Sequence, residues 1–310
     1  MMKRNHQTAW VLLVFVAWAW SVVRPVSAED AASVDRTSAI RGSFATYNAA
    51  PRGKDGRVDI PCLIAELVEL KANTYHWLIG HSPTDWDDLQ AFLPVAREKG
   101  IRVWACLLPP SESPPKGKHF SEPFQLDFER WAVEFAKLGV KEPNFVAWSV
   151  DDFTHNLTCF TPERMKKILG PAREINPKLA FVPCTYFPKV TPQFAEQYRG
   201  FIDGLLFPYR HESVAANLTD AGLVEEEVRK LKAIVGPSVP VIVDVYATAH
   251  SRLGPSTPDY VREVMTSAHR CADGVHVYCH QKPDSEKYPI IKELFNDWAK
   301  DAPSEPAKPQ

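Results

Sequence analysis

The sequence predicts a single (β/α)8 TIM barrel behind an export segment, and three observations predict it. Short β-rich runs alternate with longer helix-patterned stretches, and the alternation closes at eight. Polar residues collect at the C-terminal ends of those runs, where this architecture places its active sites. No GxGxxG or GxxxxGK[ST] loop follows the first run, as an open doubly wound sheet would carry; Asn48-Ala-Ala-Pro51 stands there instead.

The chain opens with Lys3 and Arg4, an apolar run from Ala9 to Val23 broken only by Ser21, and then Val26-Ser27-Ala28 before Glu29 and Asp30. That is the pattern of a secretory signal peptide over residues 1–28, its apolar run short for a membrane span; an uncleaved anchor is the alternative. Residues 29–300 are expected to form the barrel and 301–310, rich in Pro and Glu, a disordered tail. The expected location is therefore secreted or periplasmic, with no integral membrane segment after cleavage.

The elements follow in order. Gly42 to Asn48 is the first strand and Pro61 to Lys71 the first helix; Asn73 to Ile79 and Thr84 to Lys99 are the second pair, the helix ended by Gly100. Ile101 to Leu108 is the third strand. A Pro/Ser/Lys-rich loop (Pro109 to Pro123) leads to a helix from Leu126 to Leu138, closed by Gly139. Asn144 to Val150 is the fourth strand, and Thr161-Pro162 opens a helix to Ile175 as N-cap and N1 proline. Leu179 to Tyr186 and Pro192 to Tyr198 are the fifth pair, Gly204 to Pro208 and Thr219 to Val235 the sixth. Pro240 to Tyr246 precedes a Thr257-capped helix reaching Arg270. Gly274 to Cys279 is the eighth strand, and Glu286 to Lys300 a final helix expected to cover the barrel bottom.

Composition is that of an ordinary globular protein, 45% hydrophobic and 24% charged with net charge −2, which argues against nucleic acid or an anionic membrane as partner. Six cysteines allow 15 disulfide connectivities and show no CxxC spacing, so a zinc site is not expected.

Alternation sorts the strand residues. In the fourth strand Val146, Trp148 and Val150 should face the helices, while Ala147, Ser149 and Asp151 line the interior. Asp151 then points into the pocket, whereas Asp152 joins it only if the chain turns or bulges there. In the seventh strand Asp244 and Tyr246 face inward, and in the eighth His276, Tyr278 and His280 share a face. The candidate catalytic residues are Asp151, Asp152 and Asp244; the candidate substrate-binding residues are Tyr47, His76, Tyr186, Tyr209, Arg210, Tyr246, Tyr278 and His280. Crowded carboxyls suit glycoside hydrolysis, which needs a proton donor for the leaving oxygen and a negative or nucleophilic group for the oxocarbenium-like transition state. Tyrosines stack on sugar faces, and Arg and His bond hydroxyls. The expected partner is a carbohydrate substrate, with no cofactor and no metal. Trp77, Trp86, Trp104, Trp131 and Trp148 are expected in the core, Trp104 nearest the pocket floor.

Phe145-Val-Ala-Trp-Ser-Val-Asp-Asp-Phe153 resembles the strand-4 motif of the O-GlcNAcase and hyaluronidase-like β-N-acetylglucosaminidases, and Val182-Pro-Cys-Thr-Tyr186 is similar to their next strand. The resemblance implies a substrate-assisted mechanism on an N-acetylhexosamine. Asp151 would orient the acetamide, Asp152 would act as general acid/base, and Tyr186 would bond the acetamide oxygen. The family's Gly-rich first-strand end and Asn-containing seventh strand are replaced here by Tyr47-Asn48-Ala49-Ala50 and Asp244-Val-Tyr246. Asp244 therefore leaves open a direct acid and nucleophile pair with Asp151. Two other readings compete: a metal-dependent barrel hydrolase drawing ligands from His76, His81, His155, His211, His250 and His280 with Asp151 and Asp244, and a non-catalytic glycan-binding barrel. The sequons Asn156-Leu-Thr158 and Asn217-Leu-Thr219 would matter in a glycosylating host, although a glycan on Asn156 would crowd the site.

Overall fold

A computed structural model of the chain describes residues 34–47, 49–279 and 285–301. The expected signal peptide, Asn48, His280, Gln281 and the tail beyond Asp301 lie outside the described residues. Eight strands form one all-parallel sheet: β1 (Ser43–Tyr47), β2 (Thr74–Ile79), β3 (Arg102–Leu107), β4 (Phe145–Val150), β5 (Ala180–Phe181), β6 (Leu205–Pro208), β7 (Val241–Tyr246) and β10 (Gly274–Tyr278). Its order is β5-β4-β3-β2-β1-β10-β7-β6. The two ends meet beyond β5, where Thr185 N–H donates to Leu206 O at 2.8 Å and Leu206 N–H to Pro183 O at 3.1 Å. The barrel is thus closed. The fifth strand is shorter than its pattern because Pro183 has no N–H for the ladder, which leaves one bridge, Cys184 to Leu206, in place of a run.

The helices are α1 (Ile60–Leu70), α2 (Asp85–Glu98), α3 (Phe128–Lys141), α4 (Pro162–Ile175), α5 (Pro192–Gln197), α6 (Val224–Val235), α7 (Pro258–Cys271) and α8 (Tyr288–Asp301). Their starts follow capping chemistry: the side chains of Asp59, Asp127, Thr161, Thr191 and Thr257 each accept an N–H of the first turn. Gly100, at φ +69°, takes the left-handed turn expected after α2.

Four expectations are corrected. α3 runs through Gly139 to Lys141, because that glycine serves close approach: a Cβ there would stand 2.7 Å from Asn176 Nδ2. α6 begins at Val224, since Asn217 Oδ1 accepts from Thr219 and Asp220 N–H and holds the preceding segment in a turn. α8 does not cap the bottom; Phe295 and Trp298 pack beside the outward Phe44 of β1, which places it in the outer ring. Val146 joins the inner cluster rather than the helix side, at a register shift between Val103 and Trp104 opposite β4.

The remaining alternation holds. Trp148 and Val150 join the outer core under the helices, as do Val241, Val243 and Val245. Trp77, Trp104, Trp131 and Trp148 are fully buried, and Trp86 is half-buried against Trp131. A small hairpin, β8 (Ala249–His250) with β9 (Gly254–Pro255), follows β7 and had no signal in the sequence pattern. Among the described residues Cys62, Cys106, Cys159, Cys184 and Cys271 form no disulfide. Among the described residues no helix is long and apolar enough to cross a membrane.

Candidate active site

The lower interior of the barrel is apolar, gathering Ile40, Trp104, Val146, Ala147, Val182, Leu206 and Ile242. Above it lie two buried imidazoles. His76 Nε2 meets Ser149 Oγ at 2.9 Å and His276 Nε2 meets Ser43 Oγ at 3.0 Å, with the Trp104 ring 4.4 Å from that of His276. Burial holds His76 near 3 and His276 well below the ordinary histidine value, so both are neutral. His76, expected to contact substrate, is instead fully buried beneath Tyr47, whose ring lies 4.7 Å away.

A cavity of about 350 Å³ opens above this layer at the C-terminal ends of the strands. It is lined by Tyr47, Asp151, Asp152, Tyr186, Arg210, Asp244, Tyr246 and Tyr278, so most of the sequence-selected residues converge. His155 and His250 also face it. Tyr209 does not. It follows inward Pro208 and so faces out, fully buried in the helix-side core, where its hydroxyl donates to Asp220 O at 3.0 Å.

Asp152 reaches the cavity by the backbone break that strand alternation requires. It adopts φ +45°, ψ 31°, a left-handed conformation that Asp tolerates, and a short 3-10 turn from Phe153 to His155 follows. The carboxylate of Asp151 accepts the Asp152 N–H at 2.9 Å. One oxygen of Asp152 accepts from the Tyr186 hydroxyl and lies 3.5 Å from His155 Nδ1. The Tyr186 ring is stacked with His155 at 4.4 Å and has the Arg210 guanidinium 4.1 Å from its centre. Arg210 is ion-paired with Glu212, so its charge is already matched.

Opposite, Asp244 Oδ2 accepts from the Tyr47 hydroxyl at 2.6 Å. Burial pushes Asp244 up to about 8, against the opposing pull of the Tyr47 hydrogen bond and with the Asp151 charge adding to the rise. Asp151 is half-buried on the wall, and its withdrawal from water, then the Asp152 charge, hold it above the usual carboxylate range. Burial, and then the charges of Asp151 and Asp152, likewise raise Glu112.

Glu112 was not anticipated. It sits in the loop after β3, where no periodicity marks one acid among prolines and serines. The loop is folded tightly enough that a Cβ on Gly117 would fall 1.5 Å from Glu112 O. Asn156 ties this loop to the Asp152 turn: its Nδ2 donates to Ser111 Oγ at 2.8 Å and Asp152 O at 2.9 Å, while its Oδ1 accepts Ser111 N–H at 3.1 Å. Asn156 is buried, so the folded protein does not present this sequon amide. The hairpin residues Ser251 and Arg252 also went unanticipated, since only β8 and β9 fold them over the cavity. Cys184 had a signal: Ala180, Val182, Cys184 and Tyr186 alternate onto one face, and the thiol lines the cavity wall.

Asp151, Asp152 and Cys184 bring metal-ligand atoms within 4.8 Å of one another. The donor set fits a metal poorly: two hard carboxylates and one soft thiol, with no imidazole, match neither a closed zinc site nor an all-oxygen one. Of the six histidines considered as ligands, His76 lies in the floor layer, His81 is exposed, His211 bonds Ala215 O at 3.3 Å, and His280 lies outside the described residues.

No protein-family model and no curated protein sequence matches the chain. Solved structures do. An endo-1,4-beta-mannanase from Rhizomucor miehei is similar with TM-score 0.57 and 9% identity over 84% of this chain and 95% of its own. A glucosidase from Croceicoccus marinus gives 0.54 and 12%, over 77% of this chain; the chain spans 59% of that enzyme's length. Endo-glycoceramidase II from Rhodococcus sp. gives 0.53 and 12%, over 81% and 78%. At these identities the likeness establishes the fold, a (β/α)8 barrel.

Proposed function

We propose that the protein is a glycoside hydrolase in which Asp152 is the general acid/base and Asp151 orients substrate and stabilises developing charge. The observation that carries this reading is the carboxyl pair at the end of β4, with an oxygen of each within 4.8 Å of the other, in a cavity walled by four tyrosines. An inverting pair holds its carboxyls about 6.5–9.5 Å apart to admit a water, and the nearest oxygens of these two are closer than that. They suit the division of labour of a substrate-assisted or retaining route. Asp152 is given the acid/base role because its oxygen lies 3.5 Å from Nδ1 of the exposed His155, on the side of the pair that leads to solvent. The barrel glycosidases among the structural neighbours support the class; the resemblance at β4 and β5 supports N-acetylhexosamine as the sugar. The reading includes export, with a mature chain beginning at Glu29.

One observation favours the reverse assignment: burial, and then the Asp152 charge, raise the Asp151 carboxyl above the usual carboxylate range. Leaving-group dependence separates the two. Aryl glycosides, including N-acetylglucosaminide and galactoside, are assayed with wild type, Asp151→Asn and Asp152→Asn. The acid variant should lose about 10²–10⁴-fold on a poor leaving group and regain most of it on a dinitrophenyl one. Hydrolysis of none, or equal rates for all three proteins, removes the mechanism.

A further inference from the structure

We propose that Asp244 is a neutral hydrogen-bond donor to an acceptor oxygen of the bound sugar, fixed by Tyr47, and not a carboxylate nucleophile; this deepens, and rests on, the glycosidase reading. The argument starts from position. Asp244 is 1% exposed yet lines the cavity, and β6 and β10 pair with its strand on both sides. Its Oδ2 is committed to Tyr47, while its Oδ1 is buried with no hydrogen-bond partner among the described residues. A native fold rarely leaves such an atom unsatisfied, so a ligand group in the cavity is its natural partner.

The charges around it decide which kind. From β1 comes Tyr47; from β10 Tyr278 and, a layer below, neutral His276; from β4 Asp151. The chain after β5 contributes the protonated thiol of Cys184, the chain after β6 Arg210, and its own strand Tyr246. Arg210 is taken by Glu212, and among the described residues no cation stands within ion-pair distance of Asp244. The charge nearest in effect is the like charge of Asp151. A buried carboxylate with no cation and a negative neighbour is costly, whereas the protonated form avoids both penalties. Burial also holds the Tyr47 hydroxyl well above its ordinary value, so Tyr47 keeps its proton and donates it to Oδ2. The carboxyl proton then belongs on Oδ1, directed at the unfilled side. A protonated acid cannot attack an anomeric carbon, and it can bond an acceptor.

The test has two independent readouts. Infrared difference spectra of wild type against Asp244→Asn at pH 7 should show a protonated carboxyl band in wild type alone, titrating with a midpoint of about 8. On the glycoside that wild type cleaves fastest, Asp244→Asn, which keeps a donor, should lose about tenfold in kcat/KM and Asp244→Ala about a hundredfold. The wild-type rise of KM through the same alkaline range should vanish in Asp244→Asn. It should move to higher pH in Tyr47→Phe, which removes a bond that lowers the Asp244 value. Absence of the band, or an Asp244→Asn protein as inactive as Asp244→Ala with a fluoroglycoside trapped on wild-type Asp244, overturns the proposal. If no glycoside is cleaved, the glycosidase reading and the sugar contact fall together, while the band still decides the proton.

Discussion

The two halves of the barrel interior bury ionisable groups in opposite ways. In the lower half His76 and His276 each have a serine hydroxyl and an indole for company, and burial strips their charge. In the upper half Glu112, Asp151, Asp152 and Asp244 crowd one cavity, with Arg210 stacked behind Tyr186 and paired elsewhere. The lower arrangement spends polarity on packing. In the upper one, burial and like charge raise Glu112, Asp151 and Asp244 above the ordinary carboxylate range, the direction that acid catalysis near neutral pH requires. The same physics, desolvation, makes a floor in one place and a reactive wall in the other.

Breaking the upper half should show chiefly in rate. Asp152→Asn is expected to lower kcat on a poor leaving group by about 10²–10⁴-fold with little change in Tm, measured by steady-state assay and calorimetry on the same protein. An equal fall in Tm would mean that the pair is structural. Gly117→Ala comes next. Its Cβ would overlap Glu112 O, so the loop must refold and Glu112 must move. A loss of up to about 100-fold in kcat/KM is expected, and unchanged kinetics would remove Glu112 from the site.

The lower half should show in stability. An unfolded imidazole takes its proton near 6.5, whereas His76 in the fold resists until about 3. The native state therefore binds fewer protons, and stability present above about 6.5 is lost progressively as pH falls toward 3. Urea denaturation of wild type and His76→Leu between pH 7 and 4 should show a steeper decline in wild type; parallel curves would contradict the neutral floor. The smallest effect is expected at Gly139→Ala on the outer ring, about 1–3 kcal/mol of overpacking against Asn176 with activity intact.

Much of this was legible in the chain. The eightfold alternation gave the barrel, period two placed Asp151 and Asp244 inward, and adjacency at a strand end marked Asp152 as dependent on a turn. Legibility failed where local pattern and tertiary contact part. Gly139 reads as a helix stop but answers to Asn176, a residue beyond the next helix. Tyr209 is a miss of another kind: period two already turns it outward after Pro208, and there its carbonyl accepts from the Tyr260 hydroxyl at 2.7 Å. Glu112 carries no signal because an irregular loop has no period to read.

By itself the sequence determined the fold class and, Val146 of β4 apart, the inward set of the regular strands, since both follow from repeats that local sterics impose. Only the tertiary structure decided what those residues are. Closure at Cys184 and Leu206 brings β4 and β7 around one cavity, and burial there, unequal from one carboxyl to the next, sets which of them keep their protons. Desolvation is a property of surroundings assembled from distant segments, and no window of sequence contains it.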